Sequence, residues 1–167
     1  MSCYIEKNRS TRKNIVEFIE FIDKTEVEII RMIEEAGYKT AENTKLCLLS
    51  KNYVGFFDSR RKEIIICTNN AKKREGYTLI RKNNKDLFER TALHIKKALR
   101  HEAVHVAQEC NNGKLLKIDR KLSMNPSKIN AFNGSIRISR VEEKERQAYI
   151  LEDKPRLVRN ELLKYCL

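Results

Sequence analysis

Apolar residues recur at helical spacing near the N-terminus, where residues 11–23 (TRKNIVEFIEFID) carry Ile15, Phe18, Ile19 and Ile22 on one face. This predicts an amphipathic helix. A second helix is predicted to run to residue 36, because Thr25 and Glu28 form a capping-box pair ahead of Val27, Ile30 and Ile33, and Gly37 supplies a left-handed stop. The pattern then shifts to short β-branched and aromatic runs. Residues 45–49 and 53–57 read as strands, and after the polar turn at 58–62 comes Glu63-Ile-Ile-Ile-Cys67. Residues 45–67 therefore predict a small antiparallel sheet.

Residues 68–85 are polar and read as a loop with at most one short strand around 77–80. From Asp86, with Glu89 three residues on, a helical pattern runs to Cys110 and stops at Asn111-Asn112-Gly113. A loop-rich stretch follows, containing Pro126 and Gly134. Ser139 with Glu142 opens a helix over 139–153, and Leu157, Leu162 and Leu163 mark a short last helix after Pro155. These elements predict an α+β fold in one domain over 1–167, with N-terminal helices at 11–36, a sheet at 45–67 and helices at 86–110 and 139–153.

The long helix contains Ala98-Leu-Arg-His-Glu-Ala-Val-His-Val-Ala107, and within it H-E-x-x-H. Residues four apart share a helix face, so His101 and His105 can chelate one Zn2+ through their imidazoles. Glu102 is offset from that face, and its carboxylate can reach water at the metal and act as general base. The chain has only three histidines, and two of them fall in this motif. The small and aliphatic residues around them, Ala103, Val104, Val106 and Ala107, fit a helix packed against the body of a domain.

A catalytic zinc takes a third protein ligand. No histidine follows at the metzincin spacing, and His94 lies about 10 Å along the axis from His101 at 1.5 Å per residue, so it reads as a packing or supporting residue. The helix over 139–153 offers Glu142, Glu143 and Glu145. Glu145 is favoured, because Val141, Glu145, Ala148 and Glu152 share one face and the small Ala148 permits close approach to the metal helix.

Of the 167 residues 41% are apolar, enough for one modest core. No run of 18 apolar residues predicts a membrane span, and residues 1–30 carry no signal-peptide pattern, so a cytoplasmic protein is expected. The five cysteines (Cys3, Cys47, Cys67, Cys110, Cys166) are odd in number and form no C-x-x-C pair, which predicts reduced thiols. The net charge of +12 favours an anionic partner, either nucleic acid or an acidic protein. The basic residues are interleaved with 23 acids, however, which equally describes a solvated surface, and Trp is absent, so no stacking platform for single strands is visible.

The segment Glu145-Arg-Gln-Ala-Tyr149 resembles the E-x-E-A segment in which gluzincin metallopeptidases place a glutamate ligand downstream of H-E-x-x-H. Gly55-Phe-Phe-Asp58 and Glu63 to Cys67 are similar to the hairpin that precedes the metal helix in minimal domains of that type. The resemblance covers about residues 53–153. It implies a zincin-like minimal fold and a zinc-dependent peptidase with His101, His105 and Glu145 as ligands and Glu102 as base. It also implies a peptide or protein substrate lying antiparallel to the edge strand. Gln147 and Tyr149 stand where relatives carry acids. Tyr149, Arg140, Arg146 and Tyr77 are candidate donors to an oxyanion, unranked among themselves. Two other readings remain: a non-catalytic zinc-bearing module of a larger assembly, and a nucleic-acid-associated protease similar to the SprT-like enzymes. The charge favours the latter, but no DNA-binding motif or zinc ribbon accompanies it.

Overall fold

The computed structural model describes residues 17–167, so residues 11–16 of the first predicted helix lie outside the described residues. Its describable end, Glu17–Phe21, is a 3-10 turn. The amides of Glu17 and Phe18 donate to the Glu42 carboxylate, and Asp23 already caps the next helix, which leaves no length for an α-helix between them. That next helix, α1 (Lys24–Glu35), starts from a capping box of Asp23 and Glu26 instead of Thr25 and Glu28. Asp is the stronger N-cap of the two candidates. Gly37, at φ 83°, ends α1 as the sequence predicts.

The sheet has three strands in the order β1 (Lys39–Glu42), β3 (Glu63–Ile66), β2 (Gly55–Asp58). β2 runs antiparallel to β3 but β1 runs parallel to it, so the sheet is mixed and not the antiparallel sheet predicted. Nothing in Lys-Thr-Ala-Glu alternates apolar with polar, which hid β1. The strand expected at 45–49 is a 3-10 turn, Lys45–Leu48, in which the Thr44 hydroxyl accepts from the Leu46 amide. Cys47 is buried there while Leu48 and Leu49 face solvent, so the run has no buried strand face. Among the described residues β2 pairs on one side only, which leaves its other edge free there.

Helix α2 (Thr68–Glu75) and a 3-10 turn, Leu79–Arg81, stand where a loop and a short strand were expected. The buried side of α2 is Thr68, Asn70 and Ala71, too polar to show a helical stripe, and the Asn70 amide donates to the carbonyls of Cys47, Ser50 and Tyr53. Helix α3 (Lys85–Cys110) has 26 residues, about 39 Å at 1.5 Å per residue, and is capped by Asn84 instead of Asp86. It buries Ile95, Leu99, Val104 and Val106 in a core shared with α1 and the sheet.

Helix α4 (Ile129–Ser139) occupies the stretch read as loop-rich. Gly134 inside it lets the backbone approach Tyr53, whose hydroxyl would be 3.3 Å from a Cβ at that position. Arg140 then turns left-handed (φ 57°), which separates Ser139 from α5 (Glu142–Leu151); Val141 caps α5 without a side-chain bond, and no Ser139–Glu142 box forms. Helix α6 (Pro155–Tyr165) begins at Pro155, as predicted. The described chain is thus α+β, with six α-helices and a three-stranded mixed sheet.

The expectation of reduced thiols is overturned for four of the five cysteines, while Cys3 lies outside the described residues. Cys47 bonds to Cys67 and Cys110 to Cys166, pairs 20 and 56 residues apart in sequence whose Cα atoms lie 5.5 and 5.2 Å apart. Spacing along the chain carries no record of that proximity. Among the described residues no helix is long and apolar enough to cross a membrane.

Candidate metal centre and cleft

His101 and His105 stand one turn apart on α3, with ring centroids 5.0 Å from each other, and both reach toward the first turn of α5. There Glu145 places one oxygen 3.2 Å from His101 Nε2 and the other 3.6 Å from His105 Nε2. The three groups each offer one ligand atom, all within 4.8 Å of one another. Two imidazoles and a carboxylate at this separation form a donor set that fits zinc.

The opposite ring nitrogens are also held. His101 Nδ1 lies 3.0 Å from Glu152 Oε2, and His105 Nδ1 lies 2.9 Å from Gln108 Oε1. Both partners present acceptor oxygens, because the Gln108 amide nitrogen donates to the Lys144 carbonyl and to Gln147 Oε1. Each imidazole can therefore carry its proton on Nδ1 and keep its Nε2 lone pair for a cation. Glu152 is itself fixed by Lys128 Nζ, 2.7 Å from Oε1, and Lys128 also donates to the Tyr149 carbonyl.

Charge follows this geometry. Burial would raise the Glu145 carboxyl, but the hydrogen bonds from His101 and His105 outweigh it and hold that group well below the usual carboxylate range. Burial would likewise lower the His101 imidazole, yet Glu145 and Glu152 push it up to about 10. Glu102, 7% exposed, is raised first by burial and pulled back by the two histidines. It stands next to the ligand set without belonging to it, which is where a proton acceptor is wanted.

The other candidates go elsewhere. His94 Nε2 lies 2.8 Å from Glu75, away from the centre. Glu142 and Glu143 are exposed and pair with Arg146. Tyr77 packs on Phe21 and Phe88, and Arg146 over Phe132, so neither lines the cleft, and nor does Arg140. Tyr149 does: its ring meets His101 edge-on at 4.5 Å and its hydroxyl bonds Ser135. Gln147, at a position where an acid was a family alternative, clamps the backbone of Leu116 through both amide atoms.

The centre opens into a cleft between the free edge of β2 and helices α4 and α5. Two hollows of about 230 and 500 Å³ meet at Tyr53, Gly55, His101, Glu102 and Ser135. The sequence matches the family described as Domain of unknown function (DUF8637) over residues 18–167. The chain belongs to that family. The DUF8637 match takes in every residue of the centre together with Gln108, Lys128 and Glu152. No curated protein and no solved structure matches the chain. The supporting partners were the part that sequence reasoning missed. Glu152, two turns after Glu145 on the same face, and Gln108, three residues after His105, were the available signals.

Proposed function

We propose that this DUF8637 protein is a zinc-dependent peptide hydrolase of zincin-like design, with Glu102 as general base. The observation that carries the reading is the convergence of both Nε2 atoms on Glu145, with both Nδ1 atoms engaged and a buried carboxylate left over beside them. His101, His105 and Glu145 would hold the metal. Bound there, zinc supplies a Lewis acid that polarises a carbonyl and makes water more acidic.

The chain's own groups supply the rest. Glu102 sits at the meeting point of the two hollows, where burial raises its carboxyl above the usual range and where it can take a proton from water and hand it to a leaving amine. The free edge of β2 offers backbone groups to an extended peptide added antiparallel to it. Tyr149 keeps its proton, since burial and the neighbouring carboxylates push its phenol far above the usual range, and it can donate to a developing oxyanion.

A purely structural ion would have no use for Glu102, a carboxylate kept buried beside the ligands but outside their set. The test is metal analysis of protein folded in zinc-supplemented medium, followed by digestion of a peptide library with wild type and Glu102→Gln. One zinc per chain, and cleavage by wild type alone, are expected. Protein without stoichiometric metal, or equal cleavage by both proteins, overturns the proposal.

A further inference from the structure

The two hollows differ in chemistry. The smaller, of about 230 Å³, is walled by Phe56 and Phe57 of β2 and by Ile138 and Val141, with Lys144 its one lysine or arginine. Ile138 and Val141 are 58% and 43% exposed, large aliphatic side chains turned to the open cleft and not to the core. Ile138 and Ser135, three residues apart, put one face of α4 along the cleft opposite β2.

The larger hollow, of about 500 Å³, is lined by Asn52, Arg74, Lys97, Ser127 and Asn130, and its aliphatic residues are the small Val54, Ala98 and Ala131. Its charges are largely matched in place. Lys97 pairs with Asp153 at 3.0 Å and Lys128 with Glu152 at 2.7 Å, while Arg74 donates to the Asn52 carbonyl. This half carries a larger share of hydrogen-bonding groups in its lining than the smaller hollow does, and no large aliphatic side chain.

Orientation turns the asymmetry into a sequence preference. Glu102 meets β2 at Gly55, the first residue of the strand. A peptide antiparallel to β2 runs against the direction from Gly55 to Asp58. Residues before its scissile bond then lie beside Phe56 and Phe57, and residues after it lie beside Asn52 to Val54.

We propose that the cleft selects peptides with a large aliphatic or aromatic residue immediately before the scissile bond, seated among Phe57, Ile138 and Val141, and polar residues after it. The inference rests on the hydrolase reading and adds its substrate class. Filling an apolar hollow beside the reacting carbonyl favours Leu over Asp or Lys by about ten- to a hundredfold, the range that apolar contacts of this size discriminate.

Binding tests this without turnover. Peptides ending in a C-terminal hydroxamate place their last side chain on the side before the bond, so zinc-loaded protein is titrated with acetyl-Ala-Leu, acetyl-Ala-Asp and acetyl-Ala-Lys hydroxamates. The leucyl compound is expected to bind at least about tenfold tighter than either charged one. Ile138→Glu, a change at an exposed position, is expected to move the preference to the lysyl compound, and Val141→Glu carries the same expectation should the first variant misfold. Equal affinities, or zinc-loaded protein that binds none of the three, overturn the substrate class and leave the metal centre standing. Library cleavage with the apolar residue after the bond, or with no preference, overturns it and upholds the hydrolase. Protein that takes up no zinc overturns the hydrolase reading, and the substrate class with it.

Discussion

Gly55 lies so close to Glu102 that a Cβ built on it would stand 2.7 Å from Oε1 and 3.0 Å from Cγ. The third neighbour, Ala98 Cβ at 3.2 Å, belongs to the same helix and cannot move independently, so the glutamate must shift if position 55 gains a side chain. The backbone at Gly55 is an ordinary strand, which makes the requirement one of space and not of dihedral freedom.

Gly55→Ala is therefore expected to lower kcat/KM about ten- to a hundredfold, the equivalent of about 1–3 kcal/mol of overpacking delivered to the base. Zinc content should be unchanged, since Glu102 is not among the ligands. Steady-state kinetics alongside metal analysis make the check. A variant with full activity would mean that Glu102 has room the strand does not leave it.

The carboxylate of Glu152 joins His101 Nδ1 to Lys128 Nζ, at 3.0 and 2.7 Å. Glu152→Ala removes the acceptor that holds the imidazole in its metal-facing tautomer. Zinc affinity measured against a competing chelator should fall about ten- to a hundredfold, as for other partners of metal-bound histidines. His101→Ala should lose binding outright. An unchanged affinity in Glu152→Ala would show that packing alone, including the edge-on contact with Tyr149, orients the ring.

Helix α3 was legible because helical spacing and the Asn111-Asn112-Gly113 stop coincide on it, although its cap is Asn84 and not the Asp86 that the sequence suggested. Glu145 was legible by register, through its shared face with Ala148. What stayed hidden depends on partners distant in sequence. β1 is a strand because the backbone of β3 is there to pair with it, α2 because Asn70 finds three carbonyls, and α4 despite an internal Gly134 that faces Tyr53. The disulfides and the Lys128–Glu152 pair are of the same kind, since neither spacing nor propensity encodes a contact across the fold.

Zinc binding should depend on pH with a definite sign. In the metal-free chain burial opposes charge on His101, but Glu145 and Glu152 prevail and raise its pKa from 6.5 to about 10. The ion pair so formed stabilises the metal-free fold fully below the ordinary value, and that contribution disappears as pH rises through the raised one. A cation needs Nε2 unprotonated, so binding expels a proton and affinity climbs about tenfold per pH unit where one proton is displaced. Chelator competition between about pH 6 and pH 8, with proton release followed in weak buffer, measures both. A flat profile would mean that His101 is already neutral.

The choice of Glu145 over its neighbours is the sharpest test of the centre. All three glutamates sit in the first turn of α5, so helix propensity, local charge and distance along the chain barely distinguish them. Their environments do. Glu145 is 5% exposed, touches both histidines and is held ionised by them, whereas Glu142 and Glu143 face solvent and pair with Arg146 at 2.6 and 3.5 Å. Removing an exposed partner of a surface pair costs at most about 1 kcal/mol and leaves the ligands untouched. Removing Glu145 takes away one of three donors and leaves two histidines facing each other with no carboxylate between them. Glu145→Ala should lose most zinc affinity, and the double variant of Glu142→Ala with Glu143→Ala should bind as wild type does. Equal loss in both proteins would place the effect in the folding of α5, and equal retention would remove Glu145 from the centre.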